Sequence, residues 1–375
     1  MGYPSAVRSP AAHPAGKDGA VQPRCRRRRG DDPTVVAGSP AHRPDAPALQ
    51  GSCPDSRRRS MTRAAVVGAG FLGTALAIGA ERRGWDVTVI GRSDPYALRE
   101  QASSTGGLRL VRGDGADELP SVLGRDTSVV VIAAGGRFPV PSAYAPAADA
   151  VDTLSLLINV CEAVRTHSPD TRIVFLSSAG GVYAPGPEPG LRAETHRAEP
   201  TSPYGMSRLT GESYLEFYRR VHGLAGTVLR CSNVYGRLLP AARGQGVVSA
   251  AFRCALSGEP FRLHGSGAQR RDFVHVDDFV RASLDLLSLP TRVPATVNVG
   301  SGVGYSVAQV VDRVATVLKK DITIARGPSA GTDLGSLVVD TSLLRSLVDF
   351  APLDPDTGIE KMARELQADA GGELS

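Results

Sequence analysis

The stretch Arg63-Ala64-Ala65-Val66-Val67-Gly68-Ala69-Gly70-Phe71-Leu72-Gly73-Thr74-Ala75-Leu76 decides the fold. A short apolar run fit for a buried strand breaks into glycines spaced G-x-G-x-x-G, then resumes as an alanine- and leucine-rich segment of helical character. Gly68 permits a tight turn, Gly70 lets a pyrophosphate approach the backbone, and Gly73 lets the helix pack on the strand. Phosphates then sit at the positive end of the helix dipole. A helix over Thr74 to Arg83, ending at Gly84, and a second apolar run, Trp85 to Ile90, complete a βαβ unit of about 30 residues, the setting this fingerprint requires. An NAD enzyme usually ends that second strand with Asp or Glu to accept from the ribose hydroxyls. Here stands Gly91-Arg92-Ser93, with no carboxylate to repel a 2′-phosphate and an arginine to pair with one, so NADP is favoured and NAD is the alternative.

Three more apolar runs follow, each closing in small residues. Leu108 to Val111 leads into Arg112-Gly113-Asp114, Val129 to Ile132 into Ala133-Ala134-Gly135-Gly136, and Arg172 to Leu176 into Ser177-Ser178-Ala179-Gly180. Strands alternating with helical stretches predict an α/β protein: a Rossmann-type doubly wound parallel sheet covered on both faces, with ligands at the carboxyl ends of its strands. The helix predicted over Ala147 to Thr166 places Val151, Leu154, Leu157, Ile158 and Cys161 on one stripe, read as its core face.

The net charge of +5 is a local feature, because 11 of the 43 Lys and Arg but 5 of the 38 Asp and Glu fall in residues 1–60. That segment, rich in proline and glycine and carrying Arg26 to Arg29 and Arg57 to Arg59, reads as a disordered basic extension. The rest is near neutral, so no nucleic-acid partner is expected. Ser56 to Met61 followed by apolar residues resembles a twin-arginine signal, but cleavage there would delete the first strand and the glycine turn. Five cysteines without a C-x-x-C pair or zinc spacing suit a cytoplasmic protein, with no metal site. No apolar run reaches the roughly 20 residues that cross a bilayer, so no membrane is expected.

Ser202-Pro203-Tyr204-Gly205-Met206-Ser207-Arg208 opens a helix on which Tyr204 and Arg208, four apart, share a face. A fixed cation beside a phenol favours its charged form, which suits proton exchange with a sugar hydroxyl or carbonyl while hydride passes to or from a nicotinamide.

With these residues in place the sequence resembles the extended short-chain dehydrogenase/reductase superfamily, in its nucleotide-sugar epimerase/dehydratase branch, over about residues 62 to 368. The resemblance rests on Gly68 to Gly73, Gly113-Asp114, Ser177 to Tyr183, Tyr204 to Arg208, Leu229-Arg230-Cys231-Ser232-Asn233-Val234-Tyr235-Gly236 and Arg271-Asp272-Phe273-Val274-His275-Val276-Asp277-Asp278. It implies a cofactor site lined by Gly68, Gly70, Phe71, Leu72, Gly73, Arg92, Ser93, Asp114, Ala133, Ala134, Gly135, Ser177, Tyr204, Arg208 and Cys231, with Asp114 meeting the adenine. It makes Tyr204 the acid/base, aided by Arg208 and Ser178, and gives Ser178, Asn233 and Arg271 to a nucleotide-diphosphate sugar. It also implies a homodimer formed through the helices near 147–166 and 204–222. Two positions depart from the family pattern. Arg208 stands where the family has Lys, a change that is not conservative at a fitted site. Matched on Val182-Tyr183, the usual Ser/Thr falls on Ala179, and Ser178, one residue earlier, points to the opposite face unless the strand end bends.

Beyond Gly236 the sequence predicts a helix over Val247 to Leu256, strands at Phe261 to His264 and Gln269 to Val276, an Asp277-Asp278 helix cap and a Ser306 cap. The expected organisation is residues 1–60 as the extension, 61–235 as the dinucleotide-binding domain, 236–368 mainly as the substrate lobe, with some segments returning to the sheet, and 369–375 as a tail. The expected activity is a 4-ketoreductase or 4-epimerase of a nucleotide-linked sugar, with a catalytically weakened cofactor-binding or scaffold protein as the alternative.

Overall fold

The computed structural model describes residues 61–93, 106–186, 191–240, 246–290, 292–327 and 335–369. The expectations for residues 1–60 and for the C-terminal tail lie outside the described residues, Asp369 apart. No described helix is long and apolar enough to cross a membrane.

Seven parallel strands form the central sheet in the order β11-β7-β5-β4-β1-β2-β3. They are β1 (Arg63–Val67), β2 (Asp86–Gly91), β3 (Leu108–Arg112), β4 (Thr127–Ile132), β5 (Arg172–Ser178), β7 (Gly226–Cys231) and β11 (Thr296–Val299). Burial of both faces explains the unbroken apolar runs. Along β1, Ala64 and Val66 join one core cluster while Ala65 and Val67 join the other. The first cluster lies under α1 (Phe71–Arg82) and α8 (Val276–Leu287), the second under α2 (Gly115–Val122), α4 (Pro146–His167) and α6 (Pro203–Val221). A charge introduced at Val66 or Val67, both nearly fully buried, forfeits about 1.5–3 kcal/mol of side-chain burial and adds the cost of an unpaired buried ion. Chain direction across the sheet switches between β1 and β4, which puts the ligand crevice over their carboxyl ends.

The remaining strands form small sheets. β8 (Asn233–Tyr235) and β12 (Gly304–Ser306) flank β10 (Arg270–His275), β9 (Phe261–His264) pairs with β13 (Ile324–Gly327), and β6 (Leu191–Arg192) pairs with β14 (Val338–Val339). The first two of these sheets, α7 (Val247–Ser257), α9 (Val307–Leu318) and α11 (Pro355–Asp369) enclose a third core around Phe252, Phe273, Val314 and Met362. Short helices α3 (Pro139–Tyr144), α5 (Ala179–Val182) and α10 (Ser342–Leu347) complete the chain. Ser306 caps α9 as expected, in a capping box with Gln309. The cap of α8 differs: His275 Nδ1 accepts from the Asp277 N–H, and Asp277 and Asp278 fall in the first turn. The core stripe of α4 is also shifted. Thr153, Leu157, Val160, Cys161 and Val164 face the sheet, whereas Val151 is 62% exposed.

Candidate active site

The glycine loop holds its shape by contacts that leave no room for side chains at its ends and open space at its centre. Gly68 has φ +119°, and a Cβ there would lie 2.7 Å from Ala134 Cβ. A Cβ at Gly73 would collide with the Gly68 carbonyl and approach Ala133 Cβ to 3.1 Å. At Gly70, the N-cap of α1, a Cβ would meet nothing within 4 Å, and no side chain caps the helix. Helix N–H groups without a partner beside an open cradle are the arrangement that accepts a phosphate. Phe71 and Leu72, half-buried, form the first turn.

Across from this loop, Ala133 to Gly136 leave the end of β4, with Gly135 and Gly136 at φ +101° and +68°. Arg208 on α6 reaches over and donates from Nη2 to the Gly135 carbonyl at 2.6 Å. Its guanidinium lies 5.1 Å from the centroid of the Tyr204 ring and 5.7 Å from that of Phe175. Nε of Arg208 is buried without a hydrogen-bond partner, a donor waiting for an acceptor inside the crevice. Tyr204 is half-buried, and its ring packs on Gly181, where a Cβ would come within 3.0 Å. Gly205 sits against the Gly181 carbonyl in the same way, so α5 and α6 meet through two glycines. The open cradle and the orphaned Nε show that the residues present fit a nicotinamide dinucleotide.

Two buried groups escaped the sequence. Asp149 on α4, fully buried, accepts from the Arg137 N–H at 2.5 Å and from Ser207 Oγ at 2.6 Å. It thereby ties the loop after β4 to the residue preceding Arg208. Glu212, two turns beyond Tyr204, pairs with Arg230 of β7 (Nη2 to Oε2, 2.6 Å). Arg230 Nη1 donates to Tyr183 Oη at 2.8 Å, and Tyr183 donates to Asn298 Oδ1 at 3.0 Å. Burial opposes the charge on Arg230, but the hydrogen bonds and charge of Glu212 outweigh it and raise its pKa, while burial raises that of the Tyr183 phenol. Acidic and basic residues on helix and strand read as solvent-facing in a sequence, and only the three-dimensional pairing reveals them.

The structure places the other expected positions, and it moves some of them away from the roles expected of them. Ser177 Oγ donates to Glu212 Oε1 at 2.5 Å, so its hydroxyl is committed to the buried network and not to a cofactor. Ser178 is half-buried at the end of β5 and pairs in register with Cys231. Strand alternation sends it to the face opposite Ser177 and α6, away from the Tyr204 side. Ala179 is fully buried against Leu337 and Val339. Cys231 is 5% exposed in the core, and burial pushes its thiol up to about 12, so its side chain packs and does not line a ligand. Asp114, exposed, caps α2 by accepting from the Ala116 N–H. Arg92 and Ser93 are exposed at the end of β2. Asn233 and Arg271 lie apart from Tyr204 in sequence but come together on neighbouring strands β8 and β10. Asn233 Nδ2 donates to the Asp272 carbonyl at 2.8 Å, and Arg271 Nη1 to that of Gly335 at 2.7 Å. Among the described residues no cluster of His, Cys, Asp and Glu has the makings of a metal site.

Comparison with known proteins places this geometry. A putative UDP-glucose 4-epimerase of Methanocaldococcus jannaschii is 38% identical over 157 residues, 41% of this chain, and the match spans about half (49%) of that protein's length. A dTDP-4-dehydro-6-deoxy-D-allose reductase of Streptomyces is 28% identical, covering 79% of this chain and 93% of its own. The structure of a Thermus thermophilus UDP-glucose 4-epimerase in complex with NAD superposes with a TM-score of 0.72 at 28% identity, covering 82% of this chain and 99% of that one. That NAD complex lends no support to a preference for NADP. The model of the NAD dependent epimerase/dehydratase family matches residues 64–300, and the chain belongs to that family.

Proposed function

We propose that the protein is an oxidoreductase of a nucleotide-diphosphate sugar, acting at C4 as a ketoreductase or an epimerase, with NADP preferred over NAD. The observation that carries this reading is the meeting of Tyr204, Arg208 and the Gly135 carbonyl beside the open cradle at Gly70. The dinucleotide, when bound, supplies hydride acceptance and donation. Gly68, Gly70 and Gly73 with the N-terminus of α1 hold its pyrophosphate, and Phe71, Leu72, Ala133, Ala134 and Gly135 shape the walls. Arg208 Nε, unpartnered, is the donor for a nicotinamide-ribose hydroxyl. Tyr204 Oη takes the proton of the sugar hydroxyl, or returns it to the carbonyl oxygen. The guanidinium, 5.1 Å from the centroid of the ring, compensates the negative charge that builds on the phenol during that transfer. No hydroxyl at Ala179 assists, and Ser178 receives no catalytic role. Asn233 and Arg271 hold the diphosphate sugar. On this reading 61–235 is the dinucleotide-binding part, apart from β8, and 236–368 the sugar-binding lobe, with β11 and α8 returned to the sheet.

A homodimer fits the same surface. Tyr144 (87%), Val151 (62%), Met206 (52%), Phe217 (41%) and Val221 (57%) leave α3, α4 and α6 with exposed apolar faces, around a groove of about 290 Å³ lined by Pro146, Ala150, Leu154, Pro203 and Met206.

Tyr204→Phe tests the enzyme reading. The variant is expected to bind dinucleotide as the parent does while turnover of a nucleotide-linked 4-keto sugar, or 4-epimerisation of a UDP-sugar, falls by about 10²-fold or more. Turnover retained in the variant rejects Tyr204 as proton carrier. A parent protein that binds dinucleotide but turns over neither substrate class favours the scaffold alternative. NADPH consumption with a 4-keto sugar selects the reductase, and epimerisation without net redox selects the epimerase.

A further inference from the structure

We propose that Arg230 is a positioning residue that holds the Glu212 carboxylate away from Arg208, so that the Arg208 guanidinium keeps its charge beside Tyr204 and its Nε open to the dinucleotide. The inference rests on the reading that Arg208 serves both.

Helix geometry sets the problem. Tyr204, Arg208 and Glu212 follow at spacings of four and share one face of α6. Long side chains on a helix lean toward its N-terminus. That lean carries the Arg208 guanidinium to the Tyr204 ring, 5.1 Å from its centroid, and sets Glu212 over the stem of Arg208. Residues four apart are neighbours on a helix surface. Arg208 and Glu212 are 9% and 7% exposed, where opposite charges attract more strongly than in water. Left to the helix alone, Glu212 would take the guanidinium. It does not: among the described residues Arg208 makes no ion pair, and its buried Nε, the donor nearest the stem, has no acceptor.

The sheet supplies the reason. Ser177 and Arg230 are register partners in the parallel β5–β7 pair and so project from one face. Phe175 and Val228, two residues earlier on each strand, pack in the cluster beneath α6, so both side chains rise toward that helix. They converge on Glu212. Arg230 donates from Nε to Oε1 and Oε2 at 3.2 and 3.1 Å and from Nη2 to Oε2 at 2.6 Å, and Ser177 Oγ donates to Oε1 at 2.5 Å. Tyr183 Oη accepts from Arg230 Nη1 at 2.8 Å and fixes the other edge of the guanidinium. Two further ionisable groups near Arg208 do not compete for it. Asp149 of α4 holds the Arg137 N–H and Ser207, and burial pushes the Cys231 thiol of β7 up to about 12. One arginine neutralises Glu212, and the other keeps its charge.

Arg230→Met removes the restraint, and Glu212 is then expected to turn to Arg208 Nε and exclude the ribose hydroxyl from it. Fluorescence titration of the full chain should show NADPH and NADH each bound about tenfold more weakly, as loss of one charged hydrogen bond does, with turnover falling alongside. The double change Arg230→Met with Glu212→Gln keeps an acceptor for Ser177 and removes the competing carboxylate. It is expected to bring both Kd values back to within about threefold of the parent. A pair that served folding alone would not be rescued by removing its second member. Unchanged binding in Arg230→Met overturns the proposal, and so does a double variant that binds as weakly as the single one. Where Arg230→Met fails to fold, the double variant decides alone, because it leaves no buried charge unpaired: a Kd near that of the parent supports the restraint, and a tenfold loss overturns it. A parent that binds neither dinucleotide rejects the underlying cofactor reading instead.

Discussion

Gly70→Ala separates the role of the glycine loop in binding from its role in folding. Gly70 has φ −81° and ψ −172°, a conformation any residue adopts, and a Cβ there would meet nothing within 4 Å. Two small effects on the free protein oppose each other. Restricting the unfolded chain stabilises by about 0.4–1 kcal/mol, and alanine is a poorer N-cap than glycine by a similar amount. The melting temperature is expected to stay within about 2 °C. The same methyl group occupies the cradle in which the pyrophosphate meets the N-terminus of α1. Losing one charged hydrogen bond there costs about 1.5–3 kcal/mol, which raises the dinucleotide Kd by about tenfold to a hundredfold. Gly73→Ala is the counterpart. Its Cβ collides with the Gly68 backbone in the free protein, so about 1–3 kcal/mol of stability goes with it, and the melting temperature falls by several degrees. Fluorescence titration with NADPH beside a thermal melt reads both quantities. An unchanged Kd in Gly70→Ala at an unchanged melting temperature would refute the passage of phosphates over Gly70.

Glu212→Ala leaves Arg230 charged, buried and without its carboxylate, and is expected to lose about 3–5 kcal/mol by denaturant unfolding, whereas breaking the exposed, solvent-screened pair Arg165–Glu162 is expected to change the same unfolding curve far less. Asp149→Ala strands the Arg137 N–H and leaves the Ser207 hydroxyl only the Pro203 carbonyl, so a stability loss of about 1–3 kcal/mol for the unmet buried group should come with a lower kcat through Arg208. Burial depresses the pKa of His275, so the folded state resists protonation that the unfolded chain accepts near pH 6.5. Its contribution is present above that pH and is lost as pH falls, at up to about 1.4 kcal/mol per pH unit. His275→Asn, which keeps a capping acceptor for α8, should flatten the acid side of a melting-temperature profile between pH 7.5 and 5.5. Arg208→Lys is expected to lower kcat, because one ammonium cannot hold two donors in a fixed plane, one for the Gly135 carbonyl and one for the ribose, as the guanidinium does. A gain in kcat would count against that geometry.

The sheet was legible because its signals are local. Glycine spacing, a strand on either side and small residues at strand ends are each contained in a few consecutive residues, and Tyr204 and Arg208 are one helical turn apart. What the sequence hid depends on distance. Glu212, Arg230, Tyr183 and Asn298 assemble from a helix, two strands and the cap of the short helix α5, up to 115 residues apart. Asp149 looks like a solvated acid until its two donors are seen. Val151 was misread for a related reason. Apolar positions on α4 form two stripes, and only packing against the sheet tells which is core; the other carries the exposed Val151 and the half-buried Leu154.

The departures from the family pattern converge on one spot and explain each other in part. A guanidinium spreads its donors over a rigid plane, so Arg208 fixes the cofactor loop with Nη2 and still offers Nε. That loop is held a second time by Asp149, whose other oxygen grips Ser207, so loop and helix are clamped on both sides of Arg208. A longer cation needs such a clamp, because without it the added reach allows the guanidinium to wander from the Tyr204 ring. The loss at Ala179 has no comparable remedy, since Ser177 is committed to Glu212 and Ser178 alternates to the other face. On the proposed reading, polarisation of the sugar oxygen would fall on Tyr204 alone, so Tyr204→Phe is expected to cost more turnover than any change at Ser177 or Ser178.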